Sequence, residues 1–349
     1  MSDVAPRTLA QLLFEPKSLA EPALLPKIVS YVLLVTWTLV VLFPLYWVLV
    51  TSVKEEVQVD SGPYYLPFVD FQPSLHAWRF MLLENNTLWP YVNSIIVAVV
   101  STLLAVLIGS LAAYAIVRIR FQVKLAAVLC FVSLLAGVVV AVAAFQIPWP
   151  IAASVAIALL LLFLGTLGRR FHAGVGNNDI EFWIISNRIM PPIVAILPIY
   201  VMFQQLGLLD TQLALILTYT AVNLPIVVWL TRDFFAGIPI DLEESAAIDG
   251  ASRYRIFFTI ALPLVRSGLV ATFMLVLILA WNEYLIALFL TNANAQTMPV
   301  LVSAQNTTRG PQWWYMSVLI VIMILPVIVT AAFLQKHISR GLLIGAVKG

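Results

Sequence analysis

Residues 241–263 read DLEESAAIDGASRYRIFFTIALP, the longest amphipathic, charge-bearing stretch in a chain that is otherwise almost wholly apolar. Long hydrophobic runs lie on both sides of it. Ionisable side chains at this density are too costly to place in hydrocarbon, so the stretch is a loop in water between two membrane spans. Asp241 follows Pro239 and stands three residues before Glu244, a capping-box spacing that predicts a helix start and a short helix over 242–248. Gly250 supplies the break, because glycine tolerates the positive φ of a tight turn. A second helix is expected from about Ser252 to Ala261. Pro263 then falls in the first turn of the next membrane helix, where a missing N–H costs nothing. Ala246, Ala247, Gly250 and Ala251 leave one surface with almost no side chains, which another protein's backbone could approach closely.

Composition agrees with the loop reading. The chain has 349 residues, 62% hydrophobic and 10% charged, with a mean hydropathy of +1.00; soluble domains carry about 25% charged residues. The net charge of +2 comes from dispersed basic residues, which points away from nucleic acid. A lone Cys130 excludes an internal disulfide, and His76, His172 and His337 lie too far apart in sequence to suggest a metal cluster. Neither a phosphate-binding loop of the Walker type, nor a G-x-S-x-G elbow, nor paired catalytic carboxylates can be found, so no enzyme is indicated and any ATP must be bound by another subunit.

Taken in order, residues 1–27 have no apolar core or cleavage site and read as a cytosolic tail. Residues 28–53 form the first span, since about 20 apolar residues cross about 30 Å. A polar loop to about residue 87 follows. Further apolar runs cover 91–117, 125–145, 149–168, 182–205, 211–235, 263–290 and 312–335, with a cytosolic tail at 336–349. That makes about eight spans in an all-α integral membrane protein, with both termini on one side. Positive charge assigns the side. Lys54, Arg79 and Arg309 fall in outer loops, whereas Arg118, Arg120, Lys124, Arg169, Arg170, Arg232, Arg253, Arg255, Arg266, Lys336, Arg340 and Lys348 fall inside, so both termini are expected in the cytosol.

Glu244-Ser245-Ala246, then Gly250, then Ile260-Ala261-Leu262-Pro263, resembles the EAA loop of binding-protein-dependent ABC importer permeases, with Ser245 in place of an alanine. Ile238-Pro239, Leu242-Glu243-Glu244 and Ile248-Asp249-Gly250-Ala251-Ser252 are similar to the carbohydrate, maltose-type branch. Ala112-Ala113-Tyr114-Ala115 with Arg118, and the run Gly207-Leu208-Leu209-Asp210-Thr211, resemble it as well. The likeness covers about 88–335 as a type I ABC importer transmembrane domain, and extends into the tail. It implies a six-span core, so residues 122–178 are an inserted helical hairpin. It also implies a bacterial inner-membrane permease that moves a sugar or polyol by alternating access. Its implied partners are a second permease, most naturally a distinct homologue, two ATPase subunits that bind ATP and magnesium, and a periplasmic or lipid-anchored solute-binding protein. The loop at 239–263 becomes the ATPase-coupling element, carried by Glu244, Ser245, Ala246, Asp249, Gly250, Ile260 and Pro263. This chain itself binds no cofactor on this reading.

Candidate pathway residues are Asn223 and Trp229 on one span, and Trp281, Asn282, Glu283 and Tyr284 on the next. Sugars need hydrogen-bonding groups and an aromatic face, which these residues supply. An intramembrane acid costs about 3 kcal/mol to insert and usually faces a cavity or partner. Taken singly, Asn223, Pro225 and Trp229 fit an interfacial aromatic belt and a helix kink better, and for Glu283 packing and pathway lining are equally good readings. Arg188 fits snorkelling to headgroups. A secondary transporter is the alternative, coupled through Glu283; such proteins are commonly built from internal repeats, and none is visible here.

Overall fold

The computed structural model describes residues 13–14, 23–166, 174–187, 191–308 and 310–345. Among these the chain is helical apart from two short antiparallel strand pairs, one isolated bridge and connecting turns. The principal helices are α1 (Leu24–Thr51), α2 (Leu88–Arg118), α3 (Leu125–Phe145), α4 (Trp149–Gly165), α5 (Asn177–Ser186), α6 (Pro192–Gln205) and α7 (Gln212–Ala236). They continue with α8 (Ile240–Ile248), α9 (Arg253–Leu264), α10 (Arg266–Trp281), α11 (Leu285–Leu290) and α12 (Trp313–Gly345). Arg169, Arg170, His172, Arg188 and Arg309 lie outside the described residues, as does most of the N-terminal tail.

Five described helices are each long and apolar enough to cross a bilayer: α1, α2, α3, α7 and α12. The α9–α10 pair would make a sixth, but its two halves are bent by 80°. Two expected crossings are shorter. Helix α4 has 17 residues. The run expected as one span over 182–205 is two helices, because Pro191 and Pro192 lack N–H groups and disfavour helix at the residue before each ring. The side chain of Asn187 turns back to donate to the Trp183 carbonyl at 3.2 Å and ends α5. Helix α6, with 14 residues, rises about 21 Å at 1.5 Å per residue.

The chain divides into two compact units: residues up to Trp89 with Val300–Leu325, and Pro90–Pro299 with the segment from Pro326 onwards. In the first, α1 exposes apolar side chains along nearly its whole length, as a lipid-facing helix does. The loop after it folds around Lys54, which is 2% exposed. The Lys54 ammonium donates to the Tyr64 carbonyl at 2.6 Å and sits 4.3 Å from the centre of the Trp47 ring.

In the second unit, α2 buries a stripe of small residues: Ser94, Ala98, Ser101, Ala105, Gly109 and Ala113. Small residues let helix backbones approach in lipid. At Gly109 a β-carbon would lie 2.6 Å from Val227 Cγ1 on α7, so this crossing admits only glycine without a shift. A β-carbon at Gly268 would meet the Phe234 ring at 2.6 Å. Helices α3 and α4 pack on each other. Gln146, in left-handed conformation with φ of 53°, closes α3, and Pro148 precedes α4. At the root of this hairpin Val123–Lys124 pairs with Gly174–Val175.

Two glycines give a paired test of the packing. Gly109→Ala is expected to lower the thermal stability of the purified protein by about 1–3 kcal/mol, the usual cost of overpacking. Gly137→Ala in α3, where a β-carbon meets nothing within 4 Å, is expected to leave it unchanged or raised. Equal midpoints for the two variants would contradict the close crossing of α2 and α7.

Candidate functional site

Residues 241–263 fold as two short helices around a turn. Helix α8 starts at Ile240, with Pro239 as its N-cap and no side-chain cap. The expected Asp241–Glu244 capping box is therefore absent: the proline ring presets the entry two residues earlier, and Asp241 and Glu243 fall inside the first turn, where the helix dipole favours acids. The helix closes with Ala251 N donating to the Ala246 carbonyl at 3.0 Å and Gly250 N to the Ala247 carbonyl at 3.1 Å. This is the Schellman pattern, and it needs a left-handed residue, here Gly250 with φ of 84°. Ser252 Oγ then caps α9 by accepting Arg255 N at 3.3 Å.

Pro263 does not open the next span. It lies in the last turn of α9, after a π turn over Phe257–Ala261 in which Leu262 N reaches the Phe257 carbonyl. The wider turn accommodates the proline ring, which would otherwise press on the Thr259 carbonyl. The chain then bends by 80° at Val265 into α10. Helix α9 thus buries Ile256, Phe257 and Ala261, with Phe257, Ala261 and Val265 packed against Ala113, Ile116, Phe235 and Ile238.

The strongest polar contact of the segment is one that sequence reasoning missed. Glu243 is 7% exposed. It accepts Arg118 Nε at 2.8 Å and the Tyr114 hydroxyl at 2.6 Å. A second nitrogen of Arg118 donates to the carbonyls of Phe235 and Ile238 at 3.1 and 2.8 Å. Two neighbouring acids, Glu243 and Glu244, look alike in sequence; only the fold turns one inward. Glu244, Ser245, Asp249 and Pro263 are exposed, while Ala246 and Ile260 are half-buried. Nor is the outer surface bare, because Ile248 is 87% and Tyr254 76% exposed beside Gly250.

The pathway candidates separate. Asn223 and Glu283 share a cavity of about 70 Å³ with Tyr219, Val222, Leu279 and Ile286. Tyr219 donates its hydroxyl to the Glu283 carbonyl at 3.2 Å. Glu283 does not lie within a continuous helix, as expected, but in the break between α10 and α11. Asn282 turns its side chain back to the Ile278 carbonyl at 2.8 Å, competing with the ladder, and Glu283 Oε1 accepts Ile286 N at 3.1 Å to start α11. Trp281 is buried and meets Tyr91 edge-on at 5.8 Å, bordering a separate apolar cavity of about 260 Å³. Asn282 and Trp229 are exposed, and Tyr284 is half-buried.

At the other end of α7, Asp210 adopts φ of 59° and gathers the loop after α11. Its carboxylate accepts the backbone N–H of Asn292 at 2.9 Å, Ala293 at 3.2 Å, Asn294 at 2.9 Å and Ala295 at 3.0 Å. Partial burial pulls this carboxyl up, but the donors Asn292, Asn294, Ala295 and Ala293 outweigh it and hold Asp210 below its ordinary value.

A family model described as "Binding-protein-dependent transport system inner membrane component" matches residues 180–344. The trehalose/maltose transport system permease protein MalG of Thermococcus litoralis is 30% identical over 315 residues, covering 89% of this chain and 93% of that protein. The chain is a permease of the binding-protein-dependent ABC transporter family. The permease is also similar to the inner membrane ABC transporter permease protein YcjP of Escherichia coli K12, 29% identical over 93% of this chain and 98% of that one. The diacetylchitobiose uptake system permease protein NgcG of Streptomyces coelicolor is 26% identical over 89% and 85%. A crystal structure of a bacterial ABC transporter that imports the acidic polysaccharide alginate has a chain sharing the fold, with a TM-score of 0.58, 21% identity and coverage of 89% and 96%. The permease is therefore a multi-pass inner-membrane transport protein rather than an enzyme, and it works with an ATPase, a solute-binding protein and a second permease.

The Asp210 contacts predict a pH response of the permease's loop at residues 292–295. A depressed carboxyl contributes stability above its unfolded-state value and loses it as pH falls through the lower folded-state value. Hydrogen-exchange protection of these amides is expected to persist from neutral pH down through the ordinary carboxylate range and collapse only below it. In Asp210→Asn, protection should be weaker and flat across the same range. A loss of protection already centred near neutral pH would exclude Asp210 as its source.

Proposed function

We propose that this permease carries a sugar or polyol across the inner membrane by alternating access, driven by ATP hydrolysis on separate subunits. The observation that carries the reading is the α8–Gly250–α9 loop: it is bolted to α2 through Glu243 and presents Ile248 and Tyr254 outward. An apolar side-chain pair beside a bare turn suits insertion into a cleft of a partner ATPase. The carbohydrate class is supported by the names of the relatives, which refer to trehalose/maltose and diacetylchitobiose. The polar group of Tyr219, Asn223 and Glu283 supplies hydrogen-bonding capacity within the bundle. Glu283 is engaged by Ile286 N, which favours this reading over ion-coupled transport through that acid.

In this proposal ATP and magnesium bind two partner ATPase subunits and this chain holds no cofactor. The second permease is a distinct homologue, and a periplasmic or lipid-anchored binding protein delivers substrate to the outer face. Eight apolar segments cross, counting α4, α6 and the α10–α11 pair, with residues 122–178 as an inserted hairpin. Both termini lie in the cytosol, together with the loop at 239–263. Charge asymmetry and the even count agree on that orientation.

Uptake by vesicles containing the complex is expected to need ATP and to be indifferent to a protonophore. Gly250→Val should strand a β-branched residue at φ of 84°, costing about 1–2 kcal/mol in the turn while meeting no neighbour within 4 Å. Because Glu244 is exposed and caps nothing, Glu244→Ala should change stability by no more than about 0.5 kcal/mol. Both variants are expected to reach the membrane but to lose attached ATPase or uptake per ATP hydrolysed. Full uptake with a fully attached ATPase in Gly250→Val would remove this loop from the coupling role. Orientation is checked separately with Trp149→Cys in a Cys130→Ala background, which should label from the periplasmic side.

A further inference from the structure

Helix α2 is held by directional polar contacts at both ends. At its inner end Tyr114 and Arg118 grip Glu243 of the loop at 241–263. At its outer end Asn93, 0% exposed, donates to the carbonyls of Asn294 at 2.9 Å and Gln296 at 3.0 Å, and accepts Gln212 Nε2 at 2.6 Å. Both donors of the amide and its oxygen are thereby used. Ser94 Oγ, on the next residue, accepts Met298 N at 2.8 Å. The loop so held is the one that Asp210 gathers from the other side. Between the two grips α2 is one continuous helix spanning, from Ser94 to Arg118, about 36 Å at 1.5 Å per residue. Its neighbours α7 and α12 carry internal prolines, Pro225 and Pro326, whereas the proline of α2 is Pro90, in its first turn. An unbroken helix fixed at both tips carries a displacement along its length rather than absorbing it at a kink.

We propose that α2 is a connecting rod between the ATPase-docking loop and the outer loop at residues 292–298, with Arg118, Tyr114 and Glu243 as its inner fitting and Asn93 and Ser94 as its outer one. These are positioning residues, and the proposal rests on the reading of 241–263 as the coupling loop. Linkage makes the effect reciprocal: a shift at the ATPase moves the outer loop, and whatever engages the outer loop alters the ATPase. A buried ion pair suits this task, since it fixes direction where an apolar contact of equal area would allow sliding.

The test uses the assembled complex with its ATPase and second permease, carrying Ala293→Cys as an exposed reporter in a Cys130→Ala background. Maleimide labelling rates are compared with and without ATP plus vanadate. The expected result is a change of about fivefold or more in the parent, the lower range of ordinary coupling between sites. In Asn93→Ala, and separately in Glu243→Gln, the change should shrink to nearly none, with the amounts of membrane-resident permease and co-purified ATPase unaltered. Ser94→Ala, the milder outer variant, should reduce the change in part. Co-purified ATPase reports on the docking reading, and the labelling change reports on the rod. If Glu243→Gln sheds the ATPase, Asn93→Ala, at the far end of the helix, decides alone. A parent complex without an ATP-dependent change, or an Asn93→Ala complex that keeps the full change, overturns the proposal.

Discussion

The meeting point of α2, α7 and α8 in this permease depends on one guanidinium. Arg118 and Glu243 retain only 13% and 9% of their side-chain exposure, so both charges have been taken out of water. Such a pair survives only where the remaining donors and acceptors are met. Here Tyr114 meets the second carboxylate oxygen, and the carbonyls of Phe235 and Ile238 both accept from Nη2 of the guanidinium. Those carbonyls lie at and just beyond the C-terminal end of α7, where the helix dipole favours a cation; that of Phe235 also accepts Ile238 N at 3.2 Å. Three elements, the end of α2, the end of α7 and the start of α8, are thereby tied at one point. Removing one partner of a buried pair typically costs about 3–5 kcal/mol, while an apolar replacement of both is often neutral. The pair is therefore better understood as fixing the place and angle of α8 than as a source of net stability.

The apolar contacts of α9 complete the anchorage. Phe257 stands 5.1 Å from the Tyr114 ring and 5.9 Å from that of Phe235, so the aromatic cluster lies directly beside the ion pair. Tyr254 and Phe258, on other faces of the same helix, remain exposed. Helix α9 thus has one apolar face packed on the ends of α2 and α7 and another left exposed. The 80° bend at Val265 turns the chain from α9 into α10. Pro263 and the π turn before it are part of the same corner.

Much of this was legible in the sequence, and the failures have physical causes. Apolar runs and loop charge marked the membrane helices, and Gly250 announced its turn because only a left-handed residue closes a helix in that way. The capping box failed because Pro239 takes the N-cap and presets the backbone two residues earlier than Asp241 would. Pro263 suggested a helix start, yet a proline near the end of a helix is equally well tolerated when a π turn precedes it. Glu283 stood in a run apolar enough to be read as unbroken; the break came from the Asn282 side chain, whose bond to the Ile278 carbonyl no hydropathy average registers. The Arg118–Glu243 contact joins residues 125 positions apart, so local pattern could not disclose it. Trp229 and Glu283 were grouped by residue type alone, and the rotation of α7 parts them.

The root of the α3–α4 hairpin is closed by hydrogen bonds of its own. Asn177 donates to the carbonyls of Ile116 and Ile119 at 2.5 and 2.7 Å, and its oxygen accepts Phe121 N at 2.7 Å. The end of α2 is thus capped by a residue that follows α4, and the two edges of the excursion already touch. Joining points this close carries little entropic penalty for what is looped out between them, since closure cost grows only slowly with length. The segment looped out at such a seam can change in length without reshaping the helices around it. The same seam offers a natural place to graft a reporter or an affinity handle onto the permease.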